Sequence, residues 1–120
     1  MSGTVRQGNG GDHSLGSDFG TTATKNLKAT GGRAFSFAAI NSNAAARFLQ
    51  LHDTATTPAG AAAPKYSFEI AAASGLVVGS DFFTLQGMPF ALGIAYAFST
   101  TKDTFTAATA ADGTIQVIFQ

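Results

Sequence analysis

The chain has 120 residues, seven basic against seven acidic, no cysteine, and charged residues make up only 12% of it. The absence of cysteine excludes a disulfide framework, a thiolate nucleophile and a cysteine-based zinc site. The scattered charges exclude the basic patch through which phosphate neutralisation gives nucleic-acid affinity; Lys25, Lys28 and Arg33 are the densest cluster and too thin for it. The longest apolar run, Phe90 to Phe98, falls far short of the ~20 residues that span a bilayer, so no membrane partner is expected. The opening M-S-G-T-V-R-Q-G-N-G-G also lacks the apolar core of a secretory signal. So little charge points to a surface partly covered by copies of the chain or by a partner.

Residues 1–24 read as a glycine-rich, extended N-terminal arm, carrying Gly3, Gly8, Gly10, Gly11, Gly16 and Gly20. Val5, Leu15 and Phe19 are its candidate anchors on a neighbouring subunit. From residue 25 the pattern alternates with a period of two, as strands require. Arg33 to Asn41 carries Phe35 and Phe37 on one face, and a turn at Asn41-Ser42-Asn43 follows. In Ala46 to Asp53, Leu49 and Leu51 face one way while Phe48, Gln50 and His52 face the other. The Thr54 to Pro64 loop, with Thr54, Pro58 and Pro64, is the candidate subunit-contact surface. Lys65 to Ala71 aligns Tyr66, Phe68 and Ile70, and Leu76 to Phe83 reads as a strand interrupted near Gly79.

Phe90 to Ser99 gives the clearest alternation, with Phe90, Leu92, Ile94, Tyr96 and Phe98 on the core face. Its other face, Ala91, Gly93, Ala95, Ala97 and Ser99, is small enough for a loop of the chain or another subunit to approach closely. A single helical turn fits between Thr104 and Ala111, Asp112-Gly113 reads as a hairpin turn with positive φ angles, and Thr114 to Phe119 closes the chain. The alanine triplets carry no apolar stripe at helical spacing. The sum is an all-β domain over residues 25–120, an antiparallel β-sandwich of seven or eight strands for which a jelly-roll order is open.

Chemistry has little to work with. His52 and Asp53 are neighbours in a strand, so their side chains point to opposite faces and form no dyad. No strained Gly-x-Ser-x-Gly elbow supplies a nucleophile. Asp12 and His13, with Asp18, lie in a flexible arm that would lose too much entropy to hold a metal tightly. Gly8 to Asp12 lacks the Lys-Ser/Thr ending of a phosphate loop. Asp81, Asp103 and Asp112 sit at loop edges without calcium-loop spacing. No catalytic residue, cofactor or metal is therefore expected, and the chain reads as a non-enzyme. Without tryptophan and with only Tyr66 and Tyr96, it also offers few rings on which a sugar could stack.

The runs A-A-A-R-F-L-Q-L-H-D-T-A-T-T-P, P-K-Y-S-F, S-D-F-F, G-I-A-Y-A-F-S-T-T and T-A-A-T-A-A-D resemble small β-sandwich virion proteins of tailed bacteriophages, over about residues 33 to 120. The resemblance implies a head decoration or cement protein. Such a protein would sit as a homotrimer on the capsid lattice and stabilise contacts between major capsid subunits, in a virion assembled in the host cytoplasm. It carries over no catalytic residues. A tail, neck or baseplate component is the alternative within the particle. A host-receptor or glycan-binding module, touching ligand through Tyr66, His52 and Asp103, is the alternative outside that class.

Overall fold

In the computed structural model the described residues are 16–20, in their backbone, 23–109 and 112–120. Their elements run β1 (Gly16–Gly20), β2 (Thr24–Lys28), β3 (Gly32–Asn41), β4 (Arg47–His52), β5 (Tyr66–Ile70), β6 (Ser74–Val78), α1 (Ser80–Phe83), β7 (Met88–Phe90), β8 (Ile94–Ser99) and β9 (Gly113–Phe119). Two antiparallel sheets result. Sheet 1 has the order β1-β9-β3-β6, with β7 pairing the first part of β3; sheet 2 has the order β2-β8-β4-β5. The chain is an all-β sandwich, as its period-two pattern predicts.

The core forms where the inward residues of the two sheets meet. Phe37, Ile115 and Val117 come from sheet 1; Leu49, Leu51, Ile70, Ile94, Tyr96 and Phe98 come from sheet 2, and all are buried. Each such side chain contributes about 1.5–3 kcal/mol by leaving water. The cross-strand registers carry this alternation: Leu49 lies beside Phe98 and Phe68, and Leu51 beside Tyr96 and Tyr66.

Several expectations are corrected. Phe90 to Ser99 is two strands, because the chain changes sheets between them: Phe90 pairs Gly32 in sheet 1, and Ile94 pairs Lys28 in sheet 2. The corner at 91–93 is held by the Asp53 carboxylate, which accepts the amides of Ala91 (3.0 Å), Leu92 (2.8 Å) and Gly93 (3.3 Å). Leu92 consequently points outward, 62% exposed. Gly93 is required there, since a Cβ would lie 2.3 Å from the Thr54 carbonyl oxygen. Likewise the strand expected at Leu76 to Phe83 ends at Val78, and Ser80–Phe83 makes a helical turn that buries Phe83 and leaves Phe82 at the surface.

In β3 the register shifts between Ala34 and Ser36, so Ala34 and Phe37 both face the core and Phe35 leaves the face it was expected to share with Phe37. Asp112-Gly113 is not a hairpin turn, because β8 and β9 lie in different sheets and Gly113 has no positive φ. Gly113 serves a close approach instead, a Cβ there lying 2.4 Å from the Ile40 carbonyl oxygen. Between Thr104 and Thr109 the chain carries a bridge, Ala107 to Ser99; the Asp112 amide bonds back to the Thr109 carbonyl at 2.9 Å, and residues 110 and 111 of the expected helical turn lie outside the described residues. Of the residues assigned to the arm, Gly16–Gly20 forms a strand paired with β9 of the same chain, and Thr24 opens β2. The described residues thus hold nine strands rather than seven or eight.

Asn41 shapes the turn through its side chain. It ends β3 fully buried, and its Oδ1 accepts the Asn43 amide at 2.9 Å, closing an Asx turn. Its Nδ2 faces the carbonyls of Ala45 (2.9 Å), Ile70 (3.1 Å) and Ala71 (3.2 Å), which ties sheet 1 to the end of β5 in sheet 2. Asn41→Ala strips these buried carbonyls of their donor, so urea unfolding is expected to show a loss of about 2 kcal/mol. An unchanged midpoint would mean that water replaces the amide.

Candidate functional site

His52, at the end of β4, is buried and points to the outer face of sheet 2. Its Nε2 lies 2.9 Å from the Gln50 Oε1. The Gln50 Nε2 donates toward three carbonyls of the following loop, Thr101 (2.9 Å), Lys102 (3.1 Å) and Thr104 (3.0 Å). With the amide nitrogen so engaged, Oε1 must accept, and His52 therefore carries its proton on Nε2. The Phe105 ring packs edge-on to the imidazole, centroids 6.2 Å apart. Among the described residues, no hydroxyl or carboxylate is hydrogen-bonded to the ring. His52 is a structural donor, and burial lowers its pKa from 6.5.

Asp53 turns away to cap the 91–93 corner. Desolvation pushes its pKa up, but the amides of Leu92, Ala91 and Gly93, together with the charge of Lys65, hold it below the usual 3.8. At the opposite end, Asp112 accepts from Asn43 Nδ2 (2.8 Å) and Arg47 Nε (2.9 Å). The Asn43 bond and then the Arg47 bond lower its pKa against desolvation, helped by Arg47's charge and the Thr109 amide. These carboxylates serve structure. Among the described residues, no three His, Asp or Glu side chains gather where they could hold a metal ion. Asp12 and His13 lie outside the described residues.

The contact candidates are distributed unevenly. Val5 and Leu15 lie outside the described residues, and Phe19 stands in β1 opposite Gln116. Pro58 is buried, while Thr54 and Pro64 are half-buried. The loop that carries them is fastened to the chain's own 100–109 segment by paired bonds, Phe105 amide to Ala62 carbonyl and Ala61 amide to Phe105 carbonyl, both 2.8 Å. Together the two segments cover the small face of β8, where Ala95 and Ala97 have no exposed surface.

Sheet 1 is the opposite case. Where β3 runs between β6 and β9, its outward residues pair as Ser36 with Ile118, Ala38 with Val77 and Gln116, and Ile40 with Gly75 and Thr114, and none of these is charged. The exposed Arg33 stands at the other end of β3, opposite Pro89. Ile40 is 55% and Val77 77% exposed, beside a depression of about 360 Å³. This bare apolar face is the first candidate site.

The second is a cleft of about 410 Å³ along β5, the end strand of sheet 2. Tyr66 and Phe68 of β5 and Phe82 of α1 form one wall, with Phe82 edge-on to both rings at 5.4 and 5.3 Å. Lys65, Ser67, Lys102 and Asp103 supply its polar groups. The structure thus brings Tyr66 and Asp103 together and leaves His52 apart. Phe82 and Lys102 escape the sequence reading: the double aromatic after Gly79 is a signal for the first, and nothing local marks the second.

Compared with protein-family models, curated proteins and solved structures, the chain matches none.

The carboxylates and His52 predict two separate pH windows. Because folded His52 binds its proton less readily than in the unfolded chain, unfolding takes up a proton once the pH falls below about 6.5, and stability declines from there. Asp53 and Asp112, held below 3.8, add their loss only in the more acid range, as pH falls through their folded values. Melting temperature is expected to be level above pH 7 and to fall as the pH drops below about 6.5, and His52→Gln should flatten that fall. An identical slope in the variant would remove His52 as its source.

Proposed function

We propose that this chain is a structural protein of a tailed-phage particle, a capsid decoration or cement protein that oligomerises, as a homotrimer, on the major capsid subunits. The observation that carries the reading is the uncharged, exposed outer face that the second half of β3 shares with β6 and β9, where no described loop lies as one does on the other sheet. A contiguous exposed apolar face on a small domain marks an interaction surface. Its lack of charge means that no ion is desolvated when a like surface covers it.

The strand order supports the same class. With the three-residue β7 set aside, the eight remaining strands run first-eighth-third-sixth in one sheet and second-seventh-fourth-fifth in the other. We read this as jelly-roll order, an arrangement used by viral capsid and lectin domains. Fold alone does not assign a function, so the weight rests on the bare face and on the resemblance of residues 33 to 120 to phage virion proteins.

The test is mass in solution and on capsids. Sedimentation equilibrium is expected to show an oligomer, and Val77→Lys or Ile40→Lys to weaken self-association about tenfold or more, since each covered side chain is worth about 1.5–3 kcal/mol. Both positions are exposed in the single chain, so monomer stability should change by less than ~0.5 kcal/mol. A strict monomer at every concentration that never binds phage capsids would sink the reading.

A further inference from the structure

We propose that the cleft along β5 is a carbohydrate site that seats one pyranose ring of a glycan. The inference is independent of the assembly reading, since a monomer would bind as well.

The cleft combines two kinds of unmet demand. Its aromatic wall ends in Phe82, 40% exposed, which presents ring surface that only an apolar partner covers well. Beside that wall stand polar groups without a protein partner. The side chains of Lys102 and Asp103 form no hydrogen bond or ion pair, with each other or with another described residue. An ammonium and a carboxylate offer donors and acceptors side by side. A pyranose answers both demands at once, with a C–H face for the rings and a rim of hydroxyls for the two charged groups. A cavity of about 410 Å³ is within the usual range for small-ligand sites.

The site is also held in place before any ligand arrives. Gln50 Nε2 fixes the backbone that carries Lys102 and Asp103 through the carbonyls on either side. On the other wall, the Lys65 ammonium lies over the Tyr66 and Phe90 rings, 5.7 and 5.6 Å from their centroids. Such fixation reduces the ordering cost of binding. A peptide strand added to the free edge of β5 is the competing occupant. Pro64, Lys65 and Glu69 stand along that edge, the residue types by which sheet edges resist strand addition. Asp103 beside Lys102 likewise disfavours a bare phosphate.

The experiment uses the full chain, labelled with ¹⁵N and titrated with methyl glycosides of glucose, galactose, N-acetylglucosamine, glucuronic acid and N-acetylneuraminic acid. At least one sugar is expected to shift the amides of Tyr66, Ser67, Phe82, Lys102 and Asp103 in a saturable way. Asp103→Asn and Lys102→Gln, both at exposed positions, should weaken that binding at least tenfold with unchanged melting temperature. A larger loss in Lys102→Gln for the two carboxylate-bearing sugars would identify an acidic glycan; a larger loss in Asp103→Asn for the neutral ones would identify a neutral glycan. The proposal is overturned if none of the five sugars shifts these amides, or if shifts persist unchanged in both variants. It is equally overturned if only an extended peptide perturbs β5.

Discussion

A buried amide that satisfies every one of its polar atoms sets the character of this molecule. Gln50 projects from β4 to the outer side of sheet 2, with no exposed surface, between two leucines that face the core. Left unpaired there, its carbonyl and N–H groups would cost several kcal/mol. It is paired instead with three loop carbonyls on one side and His52 on the other. The loop after β8 is thereby drawn flat onto the sheet, Phe105 closes over His52, and the 54–64 loop fastens to Phe105 in turn. The asymmetry of the sandwich follows from this. One sheet is covered by its own chain, and on the other no described segment covers Ile40 and Val77.

The far end of the sandwich is secured by a second set of polar ties that cross between sheets. Asn41 ends a strand of sheet 1 and donates to carbonyls at the end of β5 in sheet 2. Arg47 opens β4 in sheet 2 and pairs with Asp112, which leads into β9 of sheet 1. Apolar packing is non-directional and tolerates a sliding of one layer on the other. Directional bonds to buried groups do not, and they fix the relative register of the layers. Directional polar ties thus close one end of the apolar core, and the Asp53 carboxylate holds the corner at which the chain changes sheets.

How much of this was legible in the sequence depended on range. Strands whose alternation runs unbroken, such as Lys65 to Ala71 and Thr114 to Phe119, declared both their existence and their inward faces. Phe90 to Ser99 misled because its alternation continues through a corner. Nothing local distinguishes Leu92 from a core residue until Asp53, some forty positions earlier in the chain, binds the corner amides. The bulge in β3 was hidden for a related reason, since a one-residue slip appears only in pairing with β9. Gln50 left a faint local signal, a lone amide within an apolar strand. The cleft left almost none. It is assembled from β5, α1 and the 101–104 loop, three segments whose proximity is a product of topology.

The low charge of the chain takes on a sharper meaning once the charges that serve the fold and the cleft are placed. Arg47 and Asp112 are engaged in tying the sheets, Asp53 in holding the 91–93 corner, and Lys65 over two rings. Lys102 and Asp103 stand at the cleft, Arg33 near the start of β3, and the outward residues where β3 meets β6 and β9 carry none. Charge is therefore scarce where one sheet can meet another and present where a polar ligand would sit. The two proposed surfaces also lie on different sides of the molecule, one on the face of sheet 1, the other at the edge of sheet 2 beside its covering loop. A subunit fixed to a lattice through sheet 1 would keep the β5 cleft turned outward. Attachment and recognition need not compete for the same residues, and a domain of 120 residues has room for both.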